Sequence, residues 1–182
     1  IVIFIAAFAA GEWWRVFIHF RSQTQSFSLS ELPLVIGVFM LTPDHLVLAL
    51  ILGTAIALGV LRRQDPIKLL FNLASFALET ETVAVLVHRV SGTSGNSPAV
   101  WLWVLLFMAA ASLLGFALTG LAITLAEGRQ PHRQWLQPFL MVLVGGFANC
   151  SLGLAFVALE QARQSAILLL LVTPVAGIFV AY

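Results

Sequence analysis

Residues 62–82, RRQDPIKLLFNLASFALETET, carry the signals that decide the fold class and the orientation of this chain. The stretch begins with the densest positive cluster in the sequence: Arg62, Arg63 and Lys68. An Asp-Pro pair follows and predicts a helix start, because proline fits the first turn of a helix. The helix is apolar apart from a few polar residues, among them Glu79 and Glu81. A positive cluster before an apolar helix predicts a membrane span that begins on the cytoplasmic side.

The composition of the whole chain also indicates a membrane protein. Of the 182 residues, 60% are hydrophobic and 9% are charged, and the mean hydropathy is +1.01. A soluble domain carries roughly 25% charged residues. The apolar runs reach about 18 residues, the length of a helix that crosses a bilayer, and they lack the alternation of a strand. We therefore predict an all-α, polytopic membrane helical bundle that forms one domain over residues 1–182.

Helix-start signals divide the chain into about six spans and one shorter helix. Thr42 and Pro43 predict a helix start inside a long apolar run, and the sequence Ser28-Leu29-Ser30-Glu31 fits a capping box ahead of it. The short helix, lying at the outer face or re-entering it, is predicted at 31–41. The predicted spans are 1–20, 44–61, 66–88, 99–126, 135–159 and 165–182.

The basic residues predict the orientation of these spans. If the cluster at Arg62 is cytoplasmic, five basic residues lie inside and three outside, because Arg129 and Arg133 fall on the same side as the cluster. This arrangement predicts a protein of the bacterial inner membrane with both termini in the cytoplasm. The formal net charge of +1 does not indicate a nucleic-acid partner.

The predicted span 66–88 carries polar residues at membrane depth. Asn72, Ser75, Glu79 and Thr82 share one face of it, whereas Glu81 points about 200° away from Glu79. A charge at the bilayer centre costs roughly 2.5–3.5 kcal/mol on insertion scales, so such residues are functional candidates. Three interpretations of Glu79 remain open: a packing contact with Asn149 or a serine, a ligand-binding or proton-sensing role, and ion coupling in transport.

A second group of charged residues lies near predicted helix ends. Glu12, Arg15 and His19 share a helix face and form either an interfacial salt bridge or part of an outer cluster that senses pH or an anion. The other members of that cluster would be Asp44, His45 and His88.

Small residues predict where helices pack closely, within the chain or between the protomers of a homodimer. The predicted packing residues are Ala49, Gly53, Ala57, Ala111, Gly115, Gly145 and Gly146, and Pro174 predicts a kink in the last span. The lone Cys150 indicates an inert core residue. The sequence has no phosphate loop, nucleophile elbow or metal-binding histidine pair, and so predicts neither an enzyme nor a cofactor.

Two stretches of the chain resemble a known family. SLSELPLVIGVFMLTPDHLVLALILG at 28–53 and RRQDPIKLLFNLASFALE at 62–79 are similar to the N-terminal membrane regions of bacterial signalling proteins. Those regions precede GAF, GGDEF and EAL modules or histidine kinases, and Ala181-Tyr182 resembles the junction that follows their last span. The shared pieces are ELP at 31–33, RRQxPxK at 62–68 and FNLAxFALE at 71–79.

The resemblance implies a membrane-embedded sensory and anchoring domain with a cytoplasmic output domain after Tyr182. We expect a stimulus to act at an outer-facing cavity between the first three spans. One alternative is a transport or substrate-binding subunit, because the six spans are also similar to the binding subunits of energy-coupling-factor vitamin transporters. Those subunits have a glycine-rich run where TPDHLVLALILG has only Gly53. The other alternative is an accessory structural subunit of a larger membrane complex.

Overall fold

The computed structural model describes residues 1–14, 16–20, 23–94, 98–127 and 133–161. The described part contains six α-helices, a π-helical segment that continues the third, and one pair of strands. In chain order these are α1 (Val2–Trp13), β1 (Val16–Phe20), β2 (Gln23–Phe27), α2 (Glu31–Met40), α3 (Pro43–Thr54), the π-helical segment (Ala55–Leu61), α4 (Pro66–Ser94), α5 (Pro98–Glu127) and α6 (Arg133–Gln161).

The predicted all-α membrane architecture is confirmed. Four stretches of helix are long and apolar enough to cross a membrane: Pro43–Leu61, Pro66–Val90, Ala99–Leu125 and Val142–Glu160. Large apolar side chains on them face outward, among them Leu102, Leu125 and Val144, as expected of a surface that contacts lipid. The predicted count of six spans is not confirmed, since the predicted span 165–182, with Pro174, lies outside the described residues.

The predicted first span, 1–20, is wrong in its second half. The helix α1 ends at Trp13 and has 12 residues, which gives it a length of about 18 Å against a hydrocarbon core of about 30 Å. An antiparallel hairpin follows, with Val16 paired to Phe27 and Phe20 to Gln23. The run VFIHF consists mostly of β-branched and aromatic residues, which favour a strand. This preference outweighs the apolar character of the run, which by itself predicts that the membrane helix continues.

Helices α1 and α3 run in the same direction, in close contact. A Cβ atom on Gly53 would lie 2.6 Å from the carbonyl oxygen of Ile5 and 2.7 Å from Cβ of Phe8. Further along both helices, the guanidinium of Arg62 donates a hydrogen bond to the carbonyl oxygen of Trp13 at 2.9 Å. Ile5 lies beside Gly53 and Trp13 beside Arg62, so the end of α1, not its start, lies next to the Arg62 cluster. The side of the membrane on which the chain starts stays a prediction.

Helix α2 returns along α1 and leads into α3. Its start lies beside the end of α1, where the Leu29 amide donates to the carbonyl oxygen of Gly11 at 3.2 Å. As predicted, α3 begins at Pro43 with Thr42 as the preceding residue. The predicted capping box at Ser28–Glu31 does not form: α2 begins at Glu31 without a side-chain cap, because the Glu31 carboxylate bonds to α6 instead.

The end of α3 departs from regular α-helix. Its last seven residues form the wider π-helical turns of Ala55–Leu61, and Arg63 then adopts a left-handed backbone conformation with φ of 49°. The positive φ turns the chain sharply, so that α4 starts at Pro66 against the end of α3. π-helical turns inside helices occur often at functional sites.

Candidate functional site

A cavity of about 280 Å³ lies inside the bundle, and all six α-helices contribute to its wall. On the long helices its lining residues come from 71–83 of α4, 108–119 of α5 and 142–149 of α6. The cavity therefore lies around the middle of the bundle. It is lined by Glu12, Ser28, Ser30, Glu31, Leu34, Leu50, Phe71, Asn72, Ser75, Phe76, Glu79, Thr80, Val83, Met108, Ala111, Ser112, Gly115, Phe116, Thr119, Val142, Gly145, Gly146 and Asn149.

Glu12 contributes a fully buried carboxyl group to one side of this cavity. It lies near the end of α1, and the Ser28 hydroxyl donates a hydrogen bond to its Oε1 at 2.6 Å. The Ser30 amide in turn donates to the Ser28 hydroxyl at 3.1 Å. These short contacts connect the end of α1 to the residues that lead into α2. The Glu12 carboxyl group is therefore held between α1 and the segment before α2.

Glu31, the first residue of α2, is held by Asn149 of α6. The Asn149 side-chain amide donates to Oε2 of Glu31 and to the carbonyl oxygen of Ser28, each at 3.2 Å. Helix α2 is a short apolar helix and is not among the candidate membrane spans. Burial raises the pKa of Glu31; the hydrogen bond from Asn149 opposes that rise, and the nearby charge of Glu12 adds to it.

Glu79 of α4 lies against the backbone of α5. A Cβ atom on Gly115 would be 2.8 Å from Cδ and 3.0 Å from Oε2 of Glu79, so any larger residue at 115 would displace this carboxylate from its position. The Glu31 carboxylate is near enough to repel it. Within the described part of the chain, the Glu79 carboxylate has no hydrogen-bond donor. The predicted contact of Glu79 with Asn149 is wrong, because Glu31 occupies that amide.

Two hydroxyl groups beside Glu79 also face the cavity. Ser75 is 8% exposed and Thr80 is 1% exposed, and both line the cavity wall. In transmembrane helices such hydroxyls commonly bond to the carbonyl four residues earlier. Ser112, Thr82 and Thr124 do so at 2.9, 2.7 and 2.7 Å. Ser75 and Thr80 have no hydrogen-bond partner within the described residues, so their hydroxyls remain available to the cavity.

The face predicted on α4 is largely the face that lines the cavity. Asn72, Ser75 and Glu79 line it, and the Asn72 amide donates to Gln64 at 3.0 Å. Thr82 is instead exposed, and Glu81 lies outside the lining, as its angular separation from Glu79 predicts. Glu81 is therefore a natural comparison for Glu79: the same residue type, on the same helix, outside the cavity.

The predicted outer cluster is not assembled. Asp44 and His45 are exposed at the start of α3, whereas Glu12 is buried at the end of α1, which lies toward the opposite end of the bundle. The His45 ring lies 3.0 Å from the Thr42 hydroxyl. Arg15 lies outside the described residues, and of His19 only the strand position is described. The described cavity involves α2, α5 and α6 as well as the helices of the first three predicted spans, between which a cavity was expected.

The predicted small-residue positions fall into two groups. Ala49, Gly53 and Ala57 are buried on the side of α3 and its π-helical segment that includes the contact with α1. The others line the cavity: Ala111, Gly115, Gly145 and Gly146. A Cβ atom on Gly146 would lie 3.3 Å from Oε1 of Glu31, so glycine at this position leaves space for a carboxylate, as it does at Gly115.

Glu31 is the main site residue that the sequence did not identify as one. The motif around it was interpreted as a helix cap, which is its commonest use. The available signal was its position: an acidic residue between two apolar runs, next to two serines. Thr80 and Ser112 were missed as well, because single hydroxyls in a transmembrane helix carry little information.

Comparisons with protein-family models, with curated proteins and with solved structures found no match to this chain.

Proposed function

We propose that this chain is a membrane-embedded sensory domain that anchors a bacterial signalling protein in the inner membrane. Occupancy of the cavity by a ligand changes how the surrounding helices pack. The change passes through the last predicted span, 165–182, to an output domain in the cytoplasm. The observation that carries the proposal is a cavity to which all six described α-helices contribute, with carboxyl groups from three of them, Glu12, Glu31 and Glu79.

The position of the cavity supports coupling between occupancy and packing. A ligand shifts a conformational equilibrium only if it binds the two conformations with different affinity. Any movement of α2 relative to α4 changes the separation of Glu31 from Glu79, because the two carboxylates belong to these two helices. The π-helical segment Ala55–Leu61 lies in the same bundle, and π-helical turns within helices occur often at functional sites.

The proposed orientation follows from the positive cluster. With Arg62, Arg63 and Lys68 in the cytoplasm, the start of α3 lies on the outer side of the membrane. The described part of α6 ends at the opposite side, so a span at 165–182 would return the chain to the cytoplasm. The outward-facing apolar side chains contact lipid or a second copy of the chain in a homodimer.

A transport or substrate-binding subunit is the second candidate function. It is favoured by the same cavity, which combines apolar walls with a few polar groups in the manner of small-molecule sites. The two functions differ in what happens to the ligand, because a transporter releases it on the other side of the membrane and a sensor does not.

The test begins with intact-mass and peptide mass spectrometry of the natural gene product. We expect the chain to continue beyond Tyr182 into a catalytic or kinase domain. The activity of that domain is then compared in the wild type, Glu79→Gln and the control Glu81→Gln, all in native membranes. We expect Glu79→Gln to change the output at least threefold and Glu81→Gln to leave it unchanged. A chain that ends within a few residues of Tyr182, or equal output from all three proteins, would overturn the sensor proposal.

A further inference from the structure

The lining of the cavity is acidic on one side and apolar over much of the rest. Glu12, Glu31 and Glu79 supply carboxyl groups from α1, α2 and α4, and no described lining residue is a lysine, arginine or histidine. Apolar side chains cover the wall between the polar groups: Leu34, Leu50, Phe71, Phe76, Val83 and Met108. Ionised carboxylates that line one cavity repel each other, so an occupant that carries positive charge lowers their energy.

A bare metal ion does not fit this arrangement. Among the described residues, no three acidic, histidine or cysteine side chains come together as a metal ion requires. Divalent cations need several oxygen ligands at about 2.0–2.6 Å. The cavity volume of about 280 Å³ is also many times the roughly 30 Å³ that a water molecule takes up in the liquid. The space therefore suits a cation with an organic body.

The hydroxyls of Ser75 and Thr80 give an independent indication of a polar occupant. Both side chains are more than nine-tenths buried, line the cavity and lack a partner within the described part of the chain. Burying a hydroxyl without a hydrogen bond costs about 1–3 kcal/mol by mutational measures. Ser75 lies one turn of α4 from Glu79, so its hydroxyl and the carboxylate address the same part of the cavity.

We propose that the cavity binds a small organic ammonium ion, whose charged head group lies between Glu31 and Glu79 and whose hydrocarbon part contacts the apolar wall. The N–H groups of the head donate to the two carboxylates and to the Ser75 hydroxyl. Phe71 and Phe76 line the same space, and aromatic faces attract cations within about 6 Å. This inference rests on the proposed function only in identifying this cavity as the ligand site.

The test uses the full chain purified in detergent micelles, with n-butylammonium chloride as the probe. Affinity is measured by isothermal titration calorimetry, and thermal unfolding is followed by tryptophan fluorescence. Butan-1-ol, which has the same hydrocarbon chain without the charge, and sodium chloride are the ligand controls. We expect butylammonium to bind and to raise the unfolding temperature, and we expect the two controls to do neither. An equal response to butan-1-ol would overturn the proposal, because binding would then not require the charge.

Matched variants locate the site. We expect Glu79→Gln to weaken butylammonium binding at least tenfold, Ser75→Ala to weaken it about threefold, and Glu81→Gln to leave it unchanged. Ser75→Ala provides a second readout at the site should Glu79→Gln fail to fold. The assignment would be overturned if Ser75→Ala and Glu79→Gln both bound butylammonium as tightly as the wild type does. It would also be overturned if Glu81→Gln weakened binding as much as Glu79→Gln.

The outcomes separate this inference from the sensor proposal. Butylammonium binding that depends on Glu79, without any effect of Glu79→Gln on the output domain, would overturn the sensor and leave the ammonium site standing. An altered output in Glu79→Gln without ammonium binding by the wild type would overturn this inference alone.

Discussion

Asn149 joins three segments of the chain at one point. Its side-chain amide, on α6, donates to the backbone before α2 and to the carboxylate at the first residue of α2. Both acceptors are more than 100 residues away in the sequence, at separations of 121 and 118. A contact between Asn149 and Glu79 is one of the interpretations that the sequence leaves open, whereas the carboxylate that Asn149 binds is Glu31. The choice between two glutamates depends on the distance between helices, which no local pattern contains.

Replacing Asn149 by alanine removes both hydrogen bonds and leaves a buried carbonyl and a carboxylate without this donor. We expect a loss of about 1 kcal/mol in the free energy of unfolding, within the range for buried polar groups left unpaired. Reversible unfolding in mixed micelles measures the change. The control is Ser151→Ala, on the same helix at an exposed position, which we expect to have the stability of the wild type. Equal stability of the two variants would show that the Asn149 contacts contribute nothing net.

At the scale of elements, the contact between α1 and α3 depends on one glycine. The backbone of Ile5 and the Cβ of Phe8 occupy the space that a side chain on Gly53 would need. Small residues allow membrane helices to approach closely enough for backbone contact, which replaces the hydrophobic effect as the driving force between helices in lipid. The spacing of Ala49, Gly53 and Ala57 predicts such a face, and α1 covers it at Gly53.

Gly53→Ala tests this contact, because the added methyl group meets backbone atoms that move only if the helices separate. We expect destabilisation of about 1–3 kcal/mol, the usual cost of overpacking, measured by thermal unfolding in detergent. Gly59→Ala is the matched control. There the added Cβ lies 3.1 Å from Cδ2 of Leu69, the end of a flexible side chain, so we expect a change below about 0.5 kcal/mol. Similar losses in both variants would contradict the close approach at Gly53.

At the scale of the whole molecule, the direction of α1 changes the predicted topology. Counting about six spans puts the start of the chain in the cytoplasm, with the Arg62 cluster. Helix α1 is instead a short helix that runs parallel to α3, and the hairpin Val16–Phe27 and α2 follow it before the first long span begins. The two short helices α1 and α2 add changes of direction that a count of about six full spans does not include.

Single cysteines test the topology in a Cys150→Ser background, which removes the one native thiol. Val2→Cys, Asp44→Cys and Asp65→Cys each place a cysteine at an exposed position. We expect a membrane-impermeant maleimide to label Val2→Cys and Asp44→Cys from outside intact cells, and Asp65→Cys only after the cells are opened. Protection of both Val2→Cys and Asp65→Cys in intact cells would contradict the parallel arrangement and restore a cytoplasmic start of the chain.

The sequence by itself determined the class of fold and most of the long helices. Hydropathy and charge act over a turn or a span, so Pro43–Leu61, Pro66–Ser94, Pro98–Glu127 and Arg133–Gln161 were predicted to within a few residues at most ends. The polar face of α4 was predicted for the same reason, since Asn72, Ser75 and Glu79 need only helical spacing to be recognised.

Only the tertiary structure decided where the site lies and which residues complete it. Glu31 interacts with α6 rather than capping its own helix, and Glu12 is buried far from Asp44. The Glu79 carboxylate occupies the space that a side chain at Gly115 would need. Each of these outcomes depends on distances between residues that are far apart in the chain. The physical reason is that helix formation is satisfied locally by backbone hydrogen bonds, whereas a buried carboxylate takes whatever partner the packing of separate helices brings to it.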